Sequence, residues 1–264
     1  MDLKISHTTR YRYDQPVSYA LQRLHLRPGD NRMQRVKDWE ITVEGGKLEL
    51  GYTDHHGNLT DLLTVDTGTT ELSVTATGTV ETSDTAGVLG PVYGTAPLWH
   101  FRRQTTMTEP DDRLRMFARD LEDTRDVAAL HRLSAEILEA VPYETGETYS
   151  NTTAQEALEG GAGVCQDHAH IFLSAVRLAG LPARYVSGYL KLNESEEQTA
   201  SHAWAEVHLD DLGWVGFDIS NRISPDDRYV RLAVGLDARD AAPVRGMRRG
   251  AGVESLSVSV QVQQ

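Results

Sequence analysis

Gly160-Gly161-Ala162-Gly163-Val164-Cys165-Gln166-Asp167-His168-Ala169-His170 opens the segment on which the fold turns. Beyond the glycine run, Ala169, Phe172, Leu173, Val176 and Ala179 recur at helical spacing over a wide arc. This predicts a helix from about Cys165 to Ala179, buried on most sides. Gly180 and Pro182 end it. Cys165 therefore stands in the first turn of a buried helix, where unpaired backbone N–H groups and the helix dipole favour an anion. The preceding glycines let another chain approach the sulfur closely. A lone cysteine is otherwise a small buried hydrophobe; the glycine run and the helix start set Cys165 apart from that reading.

Strand-like segments follow at 183–190, 202–209 and 214–218. In Ser201-His202-Ala203-Trp204-Ala205-Glu206-Val207-His208-Leu209, the alternation puts His202, Trp204, Glu206 and His208 on one face, and Ala203, Ala205, Val207 and Leu209 on a core face. The first face is too polar for a core and carries too large an aromatic for open solvent, which suits a cleft wall. A short Asp210-Asp211-Leu212-Gly213 turn joins this strand to Trp214-Val215-Gly216-Phe217-Asp218, so the two form an antiparallel hairpin. Pairing His208 with Trp214 sets Asp218 opposite Trp204 and diagonal to His202 on the same face. A slip of one residue would turn Asp218 to the other face. The unslipped register is expected, because it also keeps Val207, Leu209, Val215 and Phe217 on the core face.

Upstream, Thr153-Ala154-Gln155-Glu156 is a capping box that starts a short helix. Residues 127–141 and 111–123 carry apolar residues at helical spacing. From Gly87 to Pro110 the texture is Gly, Pro and Thr, read as a linker. Before it, Leu3 to Tyr13, Trp39 to Val43, Leu48 to Tyr52 and Leu72 to Val80 alternate as strands, with turns at Glu44-Gly45-Gly46 and Asp54-His55-His56-Gly57-Asn58. Leu256, Val258, Val260 and Val262 form one last strand. The order is strands, then helices, then sheet, which means α+β. The expected organisation is a β-rich, sandwich-like N-terminal domain over 1–105 and a helix-on-sheet domain over 106–264.

Four blocks carry a family resemblance: Gly163-Val164-Cys165 with its following helix, Gly180 to Tyr189, Ser201 to Glu206, and Gly213 to Asp218. Cys, His and Asp fall in that chain order, and the region from about 110 to 222 resembles the bacterial transglutaminase-like superfamily. The first hundred residues are similar to the β-rich region that precedes such cores. The resemblance implies a papain-like fold and acyl transfer on an amide through a thioester. Cys165 would be the nucleophile, His202 the general base and later the acid, and Asp218 the group that orients the ring. Gln166, Trp204 and Tyr143 are candidates for a second oxyanion donor or for cleft contacts, beside the backbone N–H of Cys165. Two positions depart from the family pattern: Ile219-Ser220 stands where Pro-Thr is common, and His168 where an aromatic or apolar residue is expected. His168, three residues beyond Cys165 on the helix, is a second imidazole that could face the sulfur.

Composition bounds the alternatives. With 264 residues, 39% hydrophobic and 25% charged, the chain reads as a globular protein with room for two cores. One cysteine excludes an internal disulfide and a multi-cysteine zinc site. A net charge of −13 repels phosphate backbones and anionic lipid, so neither nucleic acid nor membrane is an expected partner; a protein or peptide amide is. No signal-like segment opens the chain and no apolar run reaches the length of a membrane span, so the expected compartment is the cytoplasm. No cofactor and no metal are expected. His168 and His170, two apart on a helix, point to different sides, and His55-His56 lies in a turn without a partner at ligand spacing. Arg245, Arg248 and Arg249 read as a solvated basic loop. Hydrolysis is slightly favoured over amine transfer; the alternative to catalysis is a peptide-binding or scaffold protein that kept the fold.

Overall fold

The alternation of the first hundred residues becomes six strands: β1 (Asp2–Tyr13), β2 (Tyr19–Arg27), β3 (Gln34–Glu44), β4 (Gly46–Thr53), β5 (Leu59–Val65) and β6 (Glu71–Thr82). The computed structural model describes residues 1–91, 95–119, 121, 125–192, 197–198, 200–249 and 252–264. After β6 come β7 (Val88–Gly90), a 3-10 turn (Leu98–Arg102), α1 (Asp112–Arg119), α2 (Val127–Ala140), α3 (Ala154–Gly160) and α4 (Cys165–Leu178). Then follow β8 (Ala183–Leu190), β9 (Glu197–Gln198), β10 (His202–Leu209), β11 (Gly213–Phe217), β12 (Tyr229–Gly235), β13 (Val244–Arg249) and β14 (Glu254–Gln263). The fold is α+β, as expected. Residues 111–123 yield a helix only to Arg119; part of the remainder lies outside the described residues.

Two sheets, β3-β6-β1-β14-β9 and β13-β2-β5-β4, share one apolar core built from alternate residues such as Leu3, Ile5, Leu24, Leu63, Val74 and Val262. The third sheet, β12-β8-β10-β11-β7, carries the helices on one face. Leu130, Leu133 and Ile137 of α2 and Phe172 and Val176 of α4 pack there against Val207, Val215 and Phe217. The β10–β11 hairpin has the expected register, with His208 opposite Trp214 and Ala205 opposite Phe217. Gly213 closes its turn at φ +73°, a conformation that side chains avoid.

Chain order and sheet membership part company in several places. The expected linker contributes β7, which pairs with β11 at the edge of the third sheet. At the other end, β14 pairs with β1 and β13 with β2. The expected boundary at 105 and 106 is thus crossed in both directions. The basic segment around Arg245 is a strand rather than a loop, because its backbone completes the exposed side of β2. The expected cleft wall on β10 is also different: Trp204 and Glu206 are buried at 2% and 0% exposure. Glu206 accepts from Arg184 Nε at 2.6 Å and Arg231 Nε at 3.0 Å, and the 0%-exposed Arg184 guanidinium lies 3.9 Å from the Trp214 ring.

Two side-chain amides of the N-terminal region cover the free edge of β12. Gln34 donates to the Arg231 carbonyl at 2.8 Å and accepts from the Arg231 N–H at 2.7 Å. Asn58 does the same to the Val234 carbonyl and N–H, both at 2.8 Å. Each amide stands in for a neighbouring strand, so the edge is capped rather than left to pair with another chain.

Candidate active site

Cys165 is the first residue of α4 and is partly exposed. The start of α4 is set by Asp167, whose Oδ2 accepts the Val164 N–H at 2.9 Å and the Thr148 hydroxyl at 2.6 Å. Gly163 makes this possible: a Cβ there would lie 2.9 Å from the Asp167 Cβ and 3.0 Å from its Oδ2. The N–H groups of Cys165 and Gln166 lie in the first turn, where helix geometry provides no intrahelical acceptor, so they face outward as anion donors.

His202 opens β10 with its side chain 12% exposed. Its Nε2 lies 2.6 Å from Asp218 Oδ2, and the Cys165 side chain is the ring's other hydrogen-bond partner, which leaves Nδ1 to the sulfur. Burial works against charge on this ring. The Cys165 side chain and Asp218 together outweigh it and raise His202 to about 10. Asp218, just past the end of β11, is 1% exposed. Burial opposes its ionisation, but His202, Asn221 and Tyr229 hold it below the usual carboxylate range. Its Oδ2 accepts from Asn221 Nδ2 at 2.8 Å and from the Tyr229 hydroxyl at 2.7 Å, and Oδ1 accepts the Asn221 N–H at 3.2 Å.

Cys165, His202 and Asp218 are thus brought into one hydrogen-bonded line. Gln166 and Tyr143 line the space around it, on opposite sides. Among the described residues Gln166 Nε2 makes only long contacts, 3.4 Å to Tyr149 O and 3.5 Å to Ser150 O. Trp204 does not line the cleft. It lies behind His202 in a buried cluster with Val186, Leu190, Tyr229 and Val234, its ring stacked 6.2 Å from the imidazole. Gly188 on the neighbouring strand leaves room for it, since a Cβ there would come 2.5 Å from the indole edge.

His168 faces elsewhere. Its Nε2 donates to the Val141 carbonyl at 2.7 Å, and its Nδ1 lies 2.8 Å from the Ser220 hydroxyl. Because a carbonyl only accepts, Nε2 carries the proton and Ser220 donates to Nδ1. Burial lowers this histidine and keeps it neutral. The two departures from the family pattern, His168 and Ser220, therefore meet each other. His170 projects to another side of α4, where Nε2 accepts the Ala238 N–H at 3.1 Å. Tyr229 had no local signal: it lies eleven residues beyond Asp218 on a strand that alternation did not reveal.

The line Cys165–His202 forms a ridge between two hollows. One, about 490 Å³, is walled by Gln166, Tyr185, Ser187, Arg239 and Arg245; the other, about 600 Å³, by Tyr143, Thr145, Leu190, Leu192 and Asn221. Ala200 and Ser201 line both, and the chain just before them, β9, is held by pairing with β14.

Comparison with known proteins agrees with this architecture. Over its whole length the chain has the fold of a candidate cysteine protease from Cytophaga hutchinsonii, with a TM-score of 0.77 and 24% identity over 91% of that chain; at this identity the likeness concerns fold alone. An uncharacterized protein of Mycobacterium leprae is 28% identical over 98% of both chains. A second, from Mycobacterium tuberculosis, is 28% identical over 92% of this chain and 86% of its own. Residues 3–81 match the bacterial transglutaminase-like N-terminal region and residues 115–219 the transglutaminase-like superfamily core. The chain thus carries, in order, a bacterial transglutaminase-like N-terminal region and a transglutaminase-like core that holds the cysteine helix and the histidine hairpin.

Proposed function

We propose that the protein is a cysteine-dependent acyl-transfer enzyme acting on protein or peptide amides, with hydrolysis favoured over transfer to an amine. The observation that carries this reading is the Cys165–His202–Asp218 line lying between two hollows. A substrate chain crossing the ridge puts its acyl portion in one hollow and its leaving amine in the other.

In the first step Cys165 Sγ bonds to the amide carbonyl carbon. The oxygen takes up the electron pair beside the backbone N–H of Cys165. His202 then passes its proton from the imidazolium to the amide nitrogen, the C–N bond breaks, and a thioester remains. In the second step water or an amine gives a proton to His202 as it bonds to the carbonyl carbon, and the C–S bond breaks to regenerate the sulfur. Asp218 stays ionised throughout and holds the imidazole in place. Hydrolysis is favoured because Cys165 is partly exposed and water reaches the thioester without a dedicated site.

The test is turnover of glutamine-containing peptides and of a denatured protein substrate, with and without a primary amine. The expected products are ammonia or new chain ends that require Cys165, with amine incorporation minor. Turnover that survives Cys165→Ala would remove the mechanism. Saturable peptide binding without turnover across such a panel would return the chain to the scaffold reading.

A further inference from the structure

His55 and His56 sit at the tip of the β4–β5 turn, and the fold gives them the partner that sequence spacing does not. His100, in the 3-10 turn Leu98–Arg102, has its ring 5.7 Å from that of His55 and 5.2 Å from that of His56. One ring nitrogen from each of the three lies within 4.8 Å of the others. The arrangement is held from behind. The His55 carbonyl accepts the N–H groups of Thr95 and Ala96 at 3.2 and 3.0 Å, and Asp54 Oδ1 accepts those of His56 and Asn58, both at 2.9 Å.

These rings are not ordinary core histidines. His56 is 1% exposed; among the described residues its Nδ1 has no hydrogen-bond partner and its Nε2 has only the Asp240 carboxylate beside it, and the buried Nε2 of His100 has none. Such nitrogens are unfavourable unless something meets their lone pairs. Asp240 Oδ2 lies 3.0 Å from His56 Nε2, and a carboxylate beside a ligating imidazole is the recurrent outer layer of such sites.

The geometry points to a site for a divalent transition ion of the zinc class, formed by His55, His56 and His100 with Asp240 behind them. Three imidazoles and no thiolate suit zinc, cobalt or nickel rather than calcium or magnesium. At roughly 2.0–2.1 Å from each nitrogen, tetrahedral bonding draws the nitrogens to about 3.4 Å apart. The exposed His55 has the freedom to close that difference. Asp240 Oδ2 also accepts the Leu236 N–H at 3.0 Å, and Ala238 and Arg239 from the same loop line the 490 Å³ hollow. A bound ion would therefore tie the β4–β5 turn and the 3-10 turn to one wall of the cleft.

The experiment uses full-length Cys165→Ala protein, so that the thiol cannot compete, stripped with chelator and titrated with Zn²⁺ and Co²⁺. The expected result is one equivalent of either ion, a tetrahedral Co²⁺ absorption spectrum, and a higher thermal midpoint with Zn²⁺. His55→Ala and His100→Gln should each weaken binding about tenfold or more. If His100→Gln folds poorly by circular dichroism, the exposed His55→Ala carries the test alone. Absence of binding at micromolar metal, or affinity unchanged in His55→Ala, would overturn the assignment.

Discussion

Three donors converge on Asp218 Oδ2 in a site that burial leaves almost without water: His202 at 2.6 Å, Tyr229 at 2.7 Å and Asn221 at 2.8 Å. They keep the carboxylate ionised and its partner charged. Because His202 is raised to about 10, its imidazolium persists from the ordinary histidine range upward and is lost as pH rises through about 10. Amide turnover should therefore fall through that limb, since the leaving amine loses its proton donor. Turnover of an activated ester, whose leaving group needs no proton, should hold further; parallel pH–rate profiles for the two substrates check this. His168 and Ser220 offer a second test at this scale. Ser220→Ala leaves the buried Nδ1 of His168 without its donor and should cost about 1–3 kcal/mol in urea unfolding. In a His168→Phe background the same change should cost clearly less, as the double-mutant cycle will read.

At the scale of elements, α4 and the β10–β11 hairpin were legible from the residues alone. Alternation and a four-residue turn are local signals, and they led to the pairing of His208 with Trp214 that places Asp218 beside His202. The capping box at Thr153 and the glycines before Cys165 are equally local. β5 and β12 were not legible. β12 is buried on both faces and β5 along most of its length, each beside a register shift, so neither has a clean period of two. For the same reason Tyr229 and the companionship of His100 with His55 and His56 escaped: both depend on residues that only folding brings near. The helix start gives its own prediction. In Gly163→Ala the new methyl meets Asp167, so the carboxylate must leave the Val164 N–H. A stability loss of about 1–3 kcal/mol is expected, with kcat falling more than KM changes, because the sulfur moves while the hollows remain. Unchanged kcat with full loss of stability would separate the helix cap from the chemistry.

Across the whole molecule, the N-terminal region and the helix-bearing sheet are fastened together rather than strung in sequence. β14 brings the end of the chain back against β1 and also holds β9, which leads into the residues before His202. Gln34 and Asn58 seal β12, and Tyr189, Val230 and Leu232 of the third sheet are buried in the N-terminal core. A fragment of residues 106–264 should accordingly fail to give a cooperatively folded, active enzyme, even though it contains Cys165, His202 and Asp218. Circular dichroism and thermal unfolding of the purified fragment check this, and a sharply melting, fully active fragment would contradict it.

The central claim is that the fold makes Cys165 a nucleophile by setting it against His202, and it can be tested without knowing the substrate. The measurement is the rate at which iodoacetamide alkylates Cys165 in the folded protein at neutral pH, read by intact mass, for the unaltered chain and for His202→Ala. The account predicts complete, single-site modification of the unaltered chain without denaturant, slowed about tenfold or more in His202→Ala. A thiol that reacts only after denaturation, or at the same rate in both proteins, would contradict it.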